Sequence, residues 1–203
     1  METRLAQFVS CIFHPVFMPV YGLLLLFNMK SYFSFELVLR ARLLILAFVF
    51  VTTVLFPLLI VVLMKRQGFI ESYQMKSREE RRFPYLITAV FYFVTYQMLR
   101  QMQLPEIYSF YFMGATLLLA TVVIINVWWK ISIHMIGVGG ISGMLCGLAL
   151  ALSYDMIFLI SVVFLISGII GYARLKSETH KPSEVYCGFL AGFSIMLGLY
   201  LLV

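Results

Sequence analysis

The sequence predicts an all-α protein, a polytopic transmembrane helical bundle, and three observations lead there. Of 203 residues, 63% are hydrophobic and only 12% are charged, with a mean hydropathy of +0.99. A water-soluble domain carries about 25% charged and about 45–50% apolar residues, so the solvent of this chain has to be the bilayer. The apolar residues come in runs of about 20, the length a helix needs to cross hydrocarbon, and only helices or closed barrels satisfy the backbone there. Aromatic residues make up 16%, in keeping with Tyr and Trp at the membrane interface and Phe among the acyl chains.

In chain order, the run 5–27 is long enough to cross. Pro15 and Pro19 interrupt it and predict a kink, a late start or a partly interfacial course, so its spanning is left open. Arg4 ahead of it raises the alternative of a signal peptide. Glu2 dilutes the positive end, however, and no small-x-small cleavage site follows, so the segment is read as part of the mature protein. Six spans come next. Runs 43–64, 107–129, 156–173 and 185–203 carry no formal charge, 131–154 carries only His134, and 83–99 is short and leans on flanking Tyr and Arg. No linker or low-complexity tract divides the chain, which predicts a single integral-membrane domain over 1–203. Gly139, Gly143 and Gly147 recur every four residues, as do Gly188 and Gly192, a spacing that lets helix backbones approach where lipid supplies no hydrophobic drive. Gly137 and Gly140 admit a second use, close backbone approach to a ligand. Cys11, Cys146 and Cys187 are odd in number and sit in or beside apolar runs, so they read as small packing residues rather than a disulfide framework or metal cluster.

The net charge of +6 combines 15 Lys+Arg with 9 Asp+Glu, and on a membrane protein it points to lipid headgroups and away from nucleic acid. Its distribution is uneven. Nine charges fall in 65–82 (Lys65, Arg66, Glu71, Lys76, Arg78, Glu79, Glu80, Arg81, Arg82), Lys130 stands ahead of His134, and Arg174, Lys176, Glu178, Lys181 and Glu184 surround His180. Two predicted spans separate the first group from Lys130 and two more separate His134 from Arg174, so parity places all three groups on one membrane face. Taken alone, such clusters set topology and bind anionic headgroups.

The spacing within the last cluster says more. Arg174 is followed after five residues by His180 and after three more by Glu184, which resembles the third signature of the phosphatidic acid phosphatase type 2 family. That signature opens on Ser-Arg and ends on Asp; here Ala173 replaces the Ser and Glu184 the Asp. Upstream and in the right order, Ser132-Ile133-His134 resembles the second signature, Pro-Ser-Gly-His, with Ile131 and Ile133 in place of Pro and Gly. Lys76 with Arg82 and Pro84 resembles the first, Lys-x6-Arg-Pro, although Arg82 comes one residue early and Phe83 intervenes. The resemblance covers roughly residues 76 to 184.

It implies a metal-independent membrane phosphatase with no cofactor, acting on a lipid phosphate or diphosphate such as a polyprenyl diphosphate, phosphatidic acid or phosphatidylglycerophosphate. Lys76, Arg82 and Arg174 would bind the phosphoryl oxygens, with Arg81 in reserve for Arg82 and Ser132 donating a hydrogen bond. His180 would form a phosphohistidine, Glu184 would hold its other ring nitrogen, and His134 would protonate the leaving group. The residue types suit phosphoryl transfer, which rests on positioning and cationic donors, and no carboxylate cluster of the kind that holds Mg²⁺ is present in the sequence. Pro182 predicts the start of the last helix, with Glu184 in its first turn. Plainer alternatives stand beside these roles: His134 bonding a neighbouring backbone group, His180 as a solvated loop residue, Glu184 as an N-terminal helix charge, His14 and Asp155 as structural residues. Rival functions are a lipid phosphotransferase and a transporter or non-catalytic lipid-binding protein with the same basic pocket. Eleven Lys and Arg on the motif face against four on the other put that face in the cytoplasm by the positive-inside rule, whereas the family resemblance implies a bacterial inner-membrane protein whose site faces the periplasm.

Overall fold

The computed structural model describes residues 2–29, 37–73, 75, 77–102, 104–153, 155–177 and 180–202, and among them every regular element is helical. In chain order these are α1 (Glu2–Ile12), α2 (Met18–Asn28), α3 (Leu39–Phe50), α4 (Phe56–Arg66), α5 (Arg78–Gln101), α6 (Glu106–Ile125), α7 (Ile133–Ala151), α8 (Ile157–Lys176) and α9 (Pro182–Tyr200). Among the described residues, six segments are long and apolar enough to cross a membrane: Leu5–Asn28, Leu39–Arg66, Glu106–Ile125, Ile133–Ala151, Ile157–Lys176 and Pro182–Tyr200. The chain is therefore an integral, multi-pass membrane protein. Its exposed side chains agree, since residues such as Phe158 and Leu165 would be costly against water and are ordinary against lipid.

The six are not quite the expected set. Leu5–Asn28, left open by the sequence, meets the criteria, whereas the run 83–99 does not: α5 forms, but its uncharged stretch is short, and Arg82 and Arg100 at its ends, with its Tyr, Thr and Gln97, leave it too polar to span. The proline break is real. α1 stops at Ile12, a short 3₁₀ turn covers Pro15–Phe17, and α2 starts at Met18. The cysteines are free, and Cys11 and Cys187 are exposed rather than packed inside. Asp155 is a turn residue, its Oδ1 accepting from the Ile157 N–H at 3.1 Å.

The chain divides into two compact units. One is residues 19–129. Within it α3 and α4 make one continuous rod through a π-helical turn, Val51–Leu55, that the sequence reading missed. Pro57 was the available signal: it has no N–H to give and its ring crowds the carbonyl four residues back, so the wider turn relieves the clash. Thr52 and Thr53 return hydroxyl hydrogen bonds to the Val49 carbonyl, and Thr95 of α5 donates to Thr52 Oγ1 at 2.9 Å. α5 and α6 form an antiparallel hairpin. Its ends lock where Asn126 Nδ2 donates to the Arg78 carbonyl at 2.9 Å and Arg78 Nη1 donates to the Trp128 carbonyl at 2.5 Å. A capping box starts α5, the Ser77 hydroxyl accepting from the Glu80 N–H and the Glu80 carboxylate from the Ser77 N–H. The same carboxylate accepts from the Glu71 N–H at 2.7 Å, and that bond holds the Glu80 carboxyl below its usual range.

The other unit joins residues 1–18 to 130–203. Its centre is the pair α7 and α9, and glycines set the fit as their spacing predicts. A Cβ on Gly139 would strike the Phe189 carbonyl oxygen, one on Gly143 that of Phe193, and one on Gly192 that of Ile136. Gly188 lies against Ser132 and Gly147 against Tyr200, so contacts advance together along both helices and the two run parallel. Gly137 serves packing too, facing Met18 rather than an open site. α8 returns the chain between them, which brings the starts of α7 and α9 and the end of α8 to one end of the unit, and α1 packs along α8.

Candidate functional site

That shared end is where the second and third sequence clusters meet. Lys181 is the N-cap of α9 and Pro182 its first residue, placed where the missing N–H costs nothing. Glu184 then falls in the first turn, where its Oε2 takes the Lys181 N–H at 3.4 Å and sits 2.6 Å from His180 Nδ1. The His180 and Glu184 side chains are only 3% and 8% exposed, so the pair is shielded. Backbone bonding ties it to α7, since the Ser132 N–H donates to the Glu184 carbonyl at 3.2 Å. Ser132 is the N-cap of α7, but its hydroxyl makes no capping bond. The uncapped start of α7 thus stands beside the start of α9, which Glu184 already caps, and a helix N-terminus favours negative charge.

The protonation of His180 follows from this setting. Burial pushes its imidazole down to about 4, helped by the charges of Arg174 and Lys130 and opposed by the Glu184 hydrogen bond. At neutral pH the ring is uncharged. Its Nδ1–H donates to the Glu184 carboxylate, which leaves the Nε2 lone pair available.

His134, in the first turn of α7, is also buried, and its Nε2 lies 3.2 Å from the Ser10 carbonyl. A carbonyl only accepts, so Nε2 carries the hydrogen and Nδ1 is the lone pair. That Nδ1 has no partner, nor does Ser132 Oγ, and both are buried. Buried polar atoms without partners are rare in folded proteins, and these two at the start of α7 leave hydrogen-bonding capacity for a polar ligand or a water. His14, read from sequence as structural, stands edge-on to His134 with ring centroids 5.6 Å apart. Arg174, on the last turn of α8, donates from Nη1 to Ser10 Oγ at 3.3 Å.

Of the residues singled out from sequence, Ser132, His134, Arg174, His180 and Glu184 therefore share one end of one unit. Arg81 and Arg82 belong to the other unit: Arg81 Nε donates to the Met75 carbonyl at 2.6 Å, and Arg82 is exposed. Lys76 lies outside the described residues. Ser10 went unnoticed; the only sequence signal was Pro15, which stops α1 and frees its last carbonyls. Among the described residues no three His, Cys, Asp or Glu side chains gather as a metal site would require. The chain matches no family model, no curated protein and no solved structure.

Proposed function

We propose that this protein is a metal-independent membrane phosphatase that hydrolyses a lipid phosphate or diphosphate through a phosphohistidine on His180. The observation that carries the reading is the shielded His180–Glu184 pair, with Nδ1 committed and Nε2 free, beside the unpartnered Ser132 Oγ and His134 Nδ1 at the start of α7. Nε2 forms a bond to phosphorus while the ester P–O bond breaks. His134 Nδ1 takes a proton from the acidic phosphate and passes it to the leaving oxygen. Water then attacks phosphorus, the N–P bond breaks, and a water proton goes to Nδ1. Splitting the displacement in two is what a nucleophilic side chain contributes. Arg174 and the Ser132 hydroxyl hold the phosphoryl oxygens. The lipid tail stays in the bilayer, and we place the protein in a bacterial inner membrane with this end facing the periplasm. Maleimide labelling of a cysteine introduced at Lys181, applied from each side of a Cys-less background, tests that orientation.

Purified protein in micelles should release inorganic phosphate from at least one member of a panel of lipid phosphates and diphosphates; release from none of them would count against the enzyme reading. A second reading, a transporter or lipid-binding protein, draws on Ile131 and Ile133 in the second signature and on His134 spending one nitrogen on a main-chain carbonyl. Trapping a ³²P-phosphohistidine separates the two.

The His180 shift fixes an acid limb. As pH falls through about 4, Nε2 gains a proton and loses the attacking pair, so kcat/KM, which reports the free enzyme, should hold down to roughly that value and then drop. A limb at 6 to 7, the ordinary imidazole range, would contradict it. Glu184→Gln keeps an acceptor for Nδ1–H but loses the charge, and is expected to lower kcat by about 10²- to 10⁴-fold with KM little changed.

A further inference from the structure

We infer that Ser10, on the N-terminal helix and outside every motif, is a positioning residue for the phosphate site, an inference that rests on the phosphate-binding reading above. Two atoms of this one residue hold two of the groups that would meet the ligand. Its carbonyl takes His134 Nε2–H at 3.2 Å and its hydroxyl takes Arg174 Nη1–H at 3.3 Å.

Local chemistry explains why that carbonyl is on offer. In a continuing helix it would accept the N–H of residue 14. Here the His14 N–H goes to the Cys11 carbonyl at 3.3 Å, α1 ends at Ile12, and Pro15 bars any extension. The Ser10 carbonyl is thus one of the orphan acceptors that every helix leaves at its C-terminus. Taking its partner from α7 has a chemical effect at a distance, because it dictates that the buried, unpartnered nitrogen of His134 is Nδ1 and that this nitrogen is an acceptor. The hydroxyl does the matching job for Arg174. A guanidinium free to swing would lose affinity for a phosphoryl group; one tethered through Nη1 keeps its other N–H donors oriented.

Ser10→Ala deletes the hydroxyl alone. It should raise KM for a lipid phosphate more than it lowers kcat, and weaken inorganic phosphate binding by about 10- to 150-fold, the loss expected for a hydrogen bond to a charged group. Ser10→Thr should restore both, which a merely structural role for the position would not require. The constants come from micellar kinetics and calorimetric titration with inorganic phosphate, on proteins checked for equal melting temperature. A hydrolysing wild type whose Ser10→Ala variant matches it in KM and phosphate affinity overturns the inference and leaves the phosphatase reading standing. A wild type that binds phosphate without hydrolysing anything, with binding weakened in Ser10→Ala, supports Ser10 and defeats the phosphatase reading. A wild type that neither binds nor hydrolyses overturns both.

Discussion

His180→Asn should lower lipid phosphate hydrolysis by at least about 10³-fold, because it removes Nε2, the only atom assigned to bond formation with phosphorus. Asn is chosen over Ala for a structural reason. Its amide nitrogen lies near the former Nδ1 position, so the buried Glu184 carboxylate keeps a donor and the start of α9 is preserved. Truncation to Ala would take that donor away and leave the carboxylate leaning on the Lys181 amide at 3.4 Å, at a cost of about 1–3 kcal/mol. Initial rates and acid-quenched phosphohistidine yield should fall together while the melting temperature stays within a few degrees of wild type. Hydrolysis at the wild-type rate by a folded His180→Asn protein would end the phosphohistidine reading.

Gly143→Val is expected to cost the protein its fold rather than its chemistry. Any Cβ there meets the Phe193 carbonyl oxygen, and since both partners are main chain, no side-chain rotation can relieve the clash. α7 and α9 would have to separate, with a loss of about 2–4 kcal/mol or more from overpacking and forfeited contact. Gly168 on α8 is the contrast: a Cβ there would meet nothing within 4 Å, so Gly168→Ala should be neutral or stabilising by up to about 1 kcal/mol. Thermal unfolding in detergent compares them directly. A Gly143→Val protein that melts with wild type would mean that the glycine seam does not hold this unit together.

Local rules made a good part of this legible in advance. The glycine seam was readable because small residues four apart stack on one helix face, and Pro182 and Glu184 announced the start of α9 because each belongs chemically in a first turn. His180 and Glu184 met for the same reason, being four residues apart across a helix start. What sequence reading lacked was anything requiring distant partners. Ser10 carries no local mark of its bonds to His134 and Arg174, which depend on α1 lying along α8. The run in α5 was counted as a span although it is short, and its flanking Arg82 and Arg100 leave no apolar window long enough to cross. The π turn was passed over because Pro57 was counted as one apolar residue among many.

The unit that carries the candidate site is assembled from the two ends of the chain, with residues 19–129 made in between. Ser10 emerges from the ribosome ahead of a partner 164 positions later, and His180 and Glu184 follow after that partner. At a synthesis rate of about 5–20 residues per second, α1 spends roughly ten seconds or more in the translocation machinery before α8 exists to receive it. On the proposed chemistry, competence would therefore appear only once α9 is inserted, and a chain halted before α9 would lack the His180–Glu184 pair.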